Sequence, residues 1–278
     1  MSVGYLKFLP PENPLLKRWI KGYYVQKSTD PEFHSKITFY QNITTTISIY
    51  KDSLTESEGR LRRQTHAAGA GYHAVLVGLV DKYQEVEFCG PLDRLGIVFH
   101  PAGLNHFIQK PLGELLENHY SILNIFETGL QEIIPSLFEL EDLEAKCNML
   151  DQFYTERLRP FDQPEVFKAV EILTTADPLP KVDELAENLN LSRRTLLRKL
   201  KKHLGYSVEE YISVIKFRKA LLNFQKANPD ISFTDLALDS QYYDQADFNH
   251  QLKSRSGLTP RELFAQLDIQ DDTLFWKT

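Results

Sequence analysis

The sequence predicts an α+β protein of two domains: a mainly β N-terminal domain with helices following it, and an all-α C-terminal domain. Three observations carry this expectation. Short β-branched and aromatic runs separated by Gly, Pro, Asp and Ser occupy residues 1 to about 110. From Pro111 onward apolar residues recur instead at three- and four-residue steps. Finally, the stretch from Val182 to Phe264 repeats itself at an offset of 51 to 52 residues.

A chain of 278 residues suits two domains, at roughly 100 to 200 residues each. Its 42% hydrophobic and 25% charged residues are ordinary for a soluble globular protein. No apolar run approaches the roughly 18 to 20 residues of a membrane span, so no membrane partner is expected. Met1 to Pro10 carry one lysine and no apolar core with a cleavage site, so the expected location is cytoplasmic. Cys89 and Cys147 have neither CxxC spacing nor flanking histidines. They are expected to be reduced thiols, with no disulfide framework, metal site or cofactor.

In the β part, Ile37 to Tyr40, Thr44 to Tyr50, Ala74 to Val80 and Leu95 to Phe99 read as strands, and a sandwich or small barrel is their natural packing. Helical spacing then runs through Leu112, Leu115 and Leu116, and through Leu130, Ile133 and Ile134. From Asp142 to Leu158, Leu143, Cys147, Leu150 and Tyr154 share one face, either against the β domain or against the same helix in a second copy. Two prolines in residues 159–164 forbid a continuous helix and mark a linker. The expected domains are therefore residues 1–160 and 165–267, with an acidic then aromatic tail over 268–278, either docked or disordered.

Past a short amphipathic helix through Val166, Ala169, Val170 and Leu173, the repeat begins. A shift of 51 aligns Val182, Leu185, Ala186 and Leu189 with Phe233, Leu236, Ala237 and Ser240. Each set has the spacing of one helix face, and the shared alanine lets a second helix cross closely. A shift of 52 aligns Leu196, Leu200, Gly205, Ser207 and Glu210 with Phe248, Leu252, Gly257, Thr259 and Glu262. Ser207 with Glu210, and Thr259 with Glu262, are capping boxes set two residues after a glycine able to end the preceding helix. Pro260 sits at the first helical position, where its missing N–H costs nothing. Each unit is helix, turn, helix, Gly stop and capped helix; two of them, joined by a helix from Val208 to about Gln225, make a paired helix-turn-helix domain.

Charge is concentrated in the same region. The net charge of the chain is −6, yet residues 165–267 hold 15 Lys and Arg against 14 Asp and Glu. Within them, residues 193–202 carry six positive charges and no negative one, with Leu196 and Leu200 on the opposite edge. A charge run by itself is a solvated face; inside a repeated helix-turn-helix it points to nucleic acid.

Residues 165–267 resemble the DNA-binding domain of AraC/XylS-family transcription regulators. The matching residues include Leu185-Ala186, Leu191-Ser192, Thr195-Leu196, Arg198 and Leu200-Lys201 in the first unit, Lys216-Phe217 and Lys219-Ala220 in the linking helix, and Asp244, Phe248, Leu252-Lys253 and Gly257-Leu258-Thr259-Pro260 in the second. Residues 96–103 through Leu115 are similar to N-terminal regions attached to such domains. The resemblance implies a regulator, more an activator than a repressor, with a sensor-like N-terminal domain. Its implied partners are double-stranded promoter DNA, RNA polymerase if it activates, a small-molecule effector and a second copy of the chain.

In that family the second helix of each unit enters the major groove. By position, Arg194, Leu197 and Arg198 would face base edges, whereas Arg193, Lys201 and Lys202 would meet phosphates. The corresponding positions of the second unit are Gln245, Ala246, Asn249 and His250, with Lys253 beyond them. This unit departs from the pattern: Gln241 stands where glycine is usual, His250 where arginine is common, and Asp244 and Asp247 bring negative charge. Asp244 is better explained as an N-cap. The alternative is a sensing or interaction module whose helix-turn-helix domain no longer binds DNA specifically.

Other readings are weaker. His66, His73, His100 and His106 lack the spacing of a metal site. Tyr72, Tyr83, Phe88 and Phe99 could line an effector pocket or form ordinary core. No nucleophile, acid–base pair or phosphate loop has a coherent context, so the chain is not read as an enzyme.

Overall fold

The computed structural model describes residues 5–80, 82–116, 120–123, 129–226, 231–266, 268–271 and 274–277. The N-terminal part forms a sandwich of two sheets, each six-stranded once a hairpin from the C-terminal end is included in the second. The first sheet runs β1 (Tyr5–Leu9), β2 (Ile20–Ser28), β9 (Leu92–Phe99), β4 (Thr45–Lys51), β7 (Tyr72–Val77) and β10 (Tyr120–Leu123), antiparallel throughout. The second holds β3 (His34–Phe39), β8 (Gln84–Cys89), β6 (Leu61–His66) and β5 (Ser53–Glu58), with β6 and β8 parallel. Its edge is extended by the chain terminus. β11 (Asp268–Asp271) and β12 (Leu274–Lys277) form a hairpin, and β12 pairs with β3 so that Trp276 stands opposite Phe39.

Period-two alternation divides the first sheet between two cores. Leu95, Ile97 and Phe99 of β9, with Ile47 and Ile49 of β4, face a layer of helices. Leu92 and Tyr50 face the second sheet and meet Phe88, Val86 and Ile37. The helical layer comprises α2 (Ile134–Glu139) and α3 (Leu143–Arg157). Asp142 caps α3 by accepting from the Ala145 N–H at 3.0 Å. Leu143, Cys147, Leu150 and Tyr154 are all buried against the sheet, each contributing about 1.5–3 kcal/mol if it is a large aliphatic or aromatic group. Asp151 fixes the helix further, accepting from the Tyr23 hydroxyl and the Asn13 N–H, both at 2.7 Å. That face is therefore spent within the chain.

One strand is shorter than its sequence suggests. Residues 74–80 read as a continuous apolar strand, but β7 stops at Val77. Gly78 sits so close to Tyr206 that a side chain there would strike the tyrosine hydroxyl. Leu79, 2% exposed, leaves the sheet to join the core of the C-terminal domain.

Between the linker and the terminal hairpin the regular elements are all helical: α4 (Pro164–Thr175), α5 (Val182–Asn188), α6 (Arg193–Leu204), α7 (Val208–Lys226), α8 (Phe233–Asp239), α9 (Gln245–Ser256) and α10 (Pro260–Gln266). It has two cores. Leu185, Ala186, Leu196, Leu200 and Val214 belong to the first; Phe217, Leu221, Leu236, Phe248 and Leu252 belong to the second. The long helix α7 contributes to both, so one rigid element spaces the two helix-turn-helix units. Among the described residues no helix is long and apolar enough to cross a membrane.

Candidate nucleic-acid interface

The repeat read from the sequence is a repeat of hydrogen bonds. In the first unit the turn after α5 places Asn190 at φ 53°, and the Leu191 N–H reaches back to the Ala186 carbonyl at 2.9 Å. In the second, Gln241 takes φ 63°, and Tyr242 N–H meets the Ala237 carbonyl at 2.9 Å. Asparagine tolerates the left-handed region. Glutamine is held there by its side chain, which accepts from Leu179 N–H at 2.8 Å and donates to Asp177 at 2.6 Å. These two bonds account for the departure from glycine at this turn.

The second helices begin and end alike. Ser192 accepts from Thr195 N–H at 3.2 Å, and Asp244 from Asp247 N–H at 2.8 Å. Asp244 is thus an N-cap, as its position implies. Both helices stop at left-handed glycines, Gly205 at φ 86° and Gly257 at φ 76°, and both capping boxes beyond them form: Ser207 N–H to Glu210 and Thr259 N–H to Glu262, each at 2.8 Å.

Across α6 the faces separate sharply. Leu196, Leu200 and Leu204 are buried. Arg194, Arg198, Lys201 and Lys202 are exposed on the other side, and steps of three and four residues bring them onto one continuous surface. Leu197 is half-buried, packed at the edge of the first core. Two cations of the run have partners: Arg193 pairs with Asp183 at 3.0 Å and Glu209 at 3.3 Å, and Lys199 with Glu165 at 3.2 Å. Lys199 therefore braces α6 against α4.

In α9, Phe248, Leu252 and Ser256 are buried, and Gln245, Ala246, Asn249, His250 and Lys253 are exposed. Gln245 accepts from the Thr234 hydroxyl at 2.9 Å. Asp247 is a structural group, accepting from Tyr243 N–H at 3.3 Å and Gln251 at 3.5 Å. Tyr243, 88% exposed at the head of α9, is a surface aromatic on this unit that sequence reasoning missed. Nothing in its spacing distinguishes it from the buried Tyr242 beside it.

The β domain grips the far ends of both second helices. Asn105 donates to the His203 carbonyl at 3.0 Å. Gly113, in α1 (Leu112–Leu115), lies against the Lys201 and Lys202 backbone; a Cβ there would stand 2.5 and 2.8 Å from their oxygens. At α9 the Arg255 carbonyl accepts from Tyr83 N–H at 2.9 Å and from the Gln41 side chain at 3.1 Å. The grip leaves the N-terminal halves of α6 and α9 turned outward, and these are the halves through which helix-turn-helix proteins contact base edges.

Other candidates from the sequence fall elsewhere. A cavity between the two sheets is lined by Tyr24, Phe39, Tyr40 and Tyr50 among others, whereas Tyr72, Tyr83, Phe88 and Phe99 do not line it. Tyr72 packs on Phe138, Phe99 on Phe107 and Tyr154, and Tyr83 against Gly257, because strand alternation turns the first two toward the helices and the third lies at the domain junction. The four histidines weighed as ligands are dispersed. His34, Glu87 and Cys89 do bring ligand atoms within 4.8 Å of one another on an outer sheet face. There Glu87 bonds His34 at 2.8 Å and Arg63 at 2.7 Å. Cys89 and Cys147 are free thiols.

These features define a paired helix-turn-helix protein. Residues 185–266 match the family model described as a helix-turn-helix domain, and this C-terminal domain is of the AraC type. Residues 7–121 match a family described as a domain of unknown function (DUF6597). No curated protein matches the chain. Among solved structures, a transcriptional regulator with an AraC-type DNA-binding domain from Chromobacterium violaceum is 25% identical over 37% of this chain and 92% of its own, with a TM-score of 0.34. ToxT from Vibrio cholerae is 11% identical over 87% of this chain and 97% of its own, with a TM-score of 0.45. The C-terminal domain of AraT, a response regulator from Geobacillus stearothermophilus, is 22% identical over 39% and 90%, with a TM-score of 0.36.

Proposed function

We propose that the protein is a sequence-specific activator of transcription whose helix-turn-helix domain, residues 165–267, reads promoter DNA under the control of residues 1–160. The observation that carries this reading is the exposed surface of Arg194, Arg198, Lys201 and Lys202 on a helix whose opposite face is buried. Arg194 and Arg198 meet base edges, with guanine O6 and N7 the favoured partners, and Leu197 touches a thymine methyl. Lys201 and Lys202 meet phosphates, and Arg193 joins them by exchanging Asp183 and Glu209 for the backbone. In the second unit Gln245, Asn249, His250 and Lys253 make a weaker, more tolerant reader. As an activator working in the cytoplasm, the protein also meets RNA polymerase.

Selecting bound sequences from a random DNA pool with the full-length protein tests this. Enrichment of a defined site supports the proposal; recovery of unenriched pool contradicts it. A second reading is favoured by the acidic head of α9, where Asp244 and Asp247 stand near any phosphate. It makes the domain an interaction module. The salt dependence of binding to random duplex separates the two, because phosphate contacts release counterions and give a steep slope.

A further inference from the structure

The cavity between the two sheets has a volume of about 110 Å³. Arg94 of β9 projects into it from the first sheet and is 6% exposed. Its Nε donates to Gln26 at 2.7 Å, and its guanidinium carbon lies 4.5 Å from the ring centre of Phe88 and 5.2 Å from that of Tyr24. Those contacts engage one of its five N–H donors and two aromatic faces. Both terminal nitrogens are left without an acceptor, and no carboxylate among the described residues pairs with the group. The neighbouring Asp93 is no help, since alternation turns it to the opposite face, where Lys27 and Lys146 stand near it.

A buried cation without an anion is costly to maintain, and proteins pair such groups or neutralise them. Arginine stays charged at any accessible pH, so neutralisation is closed to it. Across the cavity Arg62, also 6% exposed, donates to Gln84 from the second sheet, adding positive potential. The rest of the lining is divided. Thr46, Ser48 and the Tyr24 hydroxyl, 2.6 Å from Ser48, are polar; Phe39, Val77 and Val86 are apolar. Gly96 makes the arrangement possible, because any side chain there would overlap the Tyr24 ring.

The geometry points to a small organic carboxylate as the ligand of this cavity, its charge held by the terminal nitrogens of Arg94 and its carbon body against the valines and Phe39. An engineered cavity of about 150 Å³ holds a benzene, so a cavity of this smaller size suits a ligand of roughly four to six heavy atoms. Inorganic anions lack the apolar part that half the lining is made for. This inference rests on the reading that residues 1–160 govern the helix-turn-helix domain, and two lining residues show the route. The Tyr40 ring centre is 6.2 Å from that of Phe217 in the second helical core, and Gly78 abuts Tyr206 of the first. An occupant of the cavity is one residue away from each unit.

The test is calorimetric titration of the full-length protein with acetate, butyrate and lactate, alongside butyramide and inorganic phosphate. Saturable one-to-one binding of at least one carboxylate is expected, at least tenfold tighter than butyramide or phosphate. Arg94→Gln should weaken it tenfold or more, and Arg94→Lys should restore part of it. Absence of saturable carboxylate binding, equal affinity for butyramide, or full retention by a folded Arg94→Gln protein overturns the proposal. If Arg94→Gln does not fold, the contrast between butyrate and butyramide in the unaltered protein decides alone. Gel shifts on the selected DNA site, with and without the bound carboxylate, address the regulatory reading separately: binding with unchanged DNA affinity keeps the ligand site and removes the control.

Discussion

Asn105 donates its side-chain amide to the main-chain oxygens of Ala102 and His203, at 3.1 and 3.0 Å. One buried side chain thus ties the turn after β9 to the last turn of α6. Replacing it with alanine leaves the enclosed His203 carbonyl without this donor, at a cost of about 1–3 kcal/mol. Asn105→Ala should lower the urea midpoint accordingly, with faster hydrogen exchange at the end of α6. An unchanged midpoint would mean that water replaces the bond freely.

Gly113 offers a steric version of the same test. Its would-be Cβ meets backbone oxygens, 2.5 Å from Lys201 and 2.8 Å from Lys202, which cannot rotate away as a side chain could. Gly113→Ala should therefore push α1 off α6 and destabilise the protein by about 1–3 kcal/mol. Thermal melts measure this, and full stability in the variant would show that the two elements are not held in contact.

Capping and DNA reading can be separated at Asp244. Alanine there removes the acceptor for Asp247 N–H and should cost about 1 kcal/mol, whereas asparagine caps nearly as well. Asp244→Asn also deletes a negative charge beside the proposed phosphate path. It should keep the melting temperature and bind DNA as tightly as the unaltered protein or more so. Loss of DNA binding in Asp244→Asn would instead make the carboxylate a reader.

Acid should loosen the junction between the domains. His106 Nδ1 lies 2.6 Å from the Arg159 carbonyl, an acceptor, so Nδ1 carries the proton. Nε2, buried without a partner, is where a second proton would go. Burial holds this histidine below its usual pKa, with Arg18 adding to the effect and the Arg159 bond opposing it. His203, on the other side of Phe161, is lowered by burial and then by Lys202 and Lys199. With folded pKa values depressed, the unfolded chain takes up protons first; stability is whole above about pH 6.5 and falls as pH drops from there toward the folded values. Melting temperatures at pH 7.5 and 5.5 should differ in that direction, and the difference should shrink in His106→Gln.

The sequence revealed what is local and hid what is not. A helix-turn-helix unit is built from contacts within about 25 residues, so Ala186 and Ala237, Gly205 and Gly257, and the two capping boxes betrayed it through spacing alone. Leu143, Cys147, Leu150 and Tyr154 announced their buried face in the same way. The domain junction is made largely by main-chain groups such as the carbonyls of His203 and Arg255, which any residue supplies and no pattern marks. The cavity escaped for a related reason. Tyr24, Ser48 and Arg94 come from three strands joined through long-range pairing, and Arg94 in isolation looks like any charged residue on a strand. Gln241 was visible as a departure from glycine, but its explanation, bonds to Leu179 and Asp177, lies 62 and 64 residues away in the chain.

The central claim is that the exposed face of α6 reads DNA. It is tested most directly by gel shift on the selected site with the double variant Arg194→Ala, Arg198→Ala. Both side chains are exposed and neither supports a core, so circular dichroism and melting temperature should be unchanged. Losing two arginine contacts, each worth roughly 1–3 kcal/mol against the wrong base, should abolish discrimination between the site and random duplex. A folded double variant that still binds the site with the affinity of the unaltered protein would contradict the account.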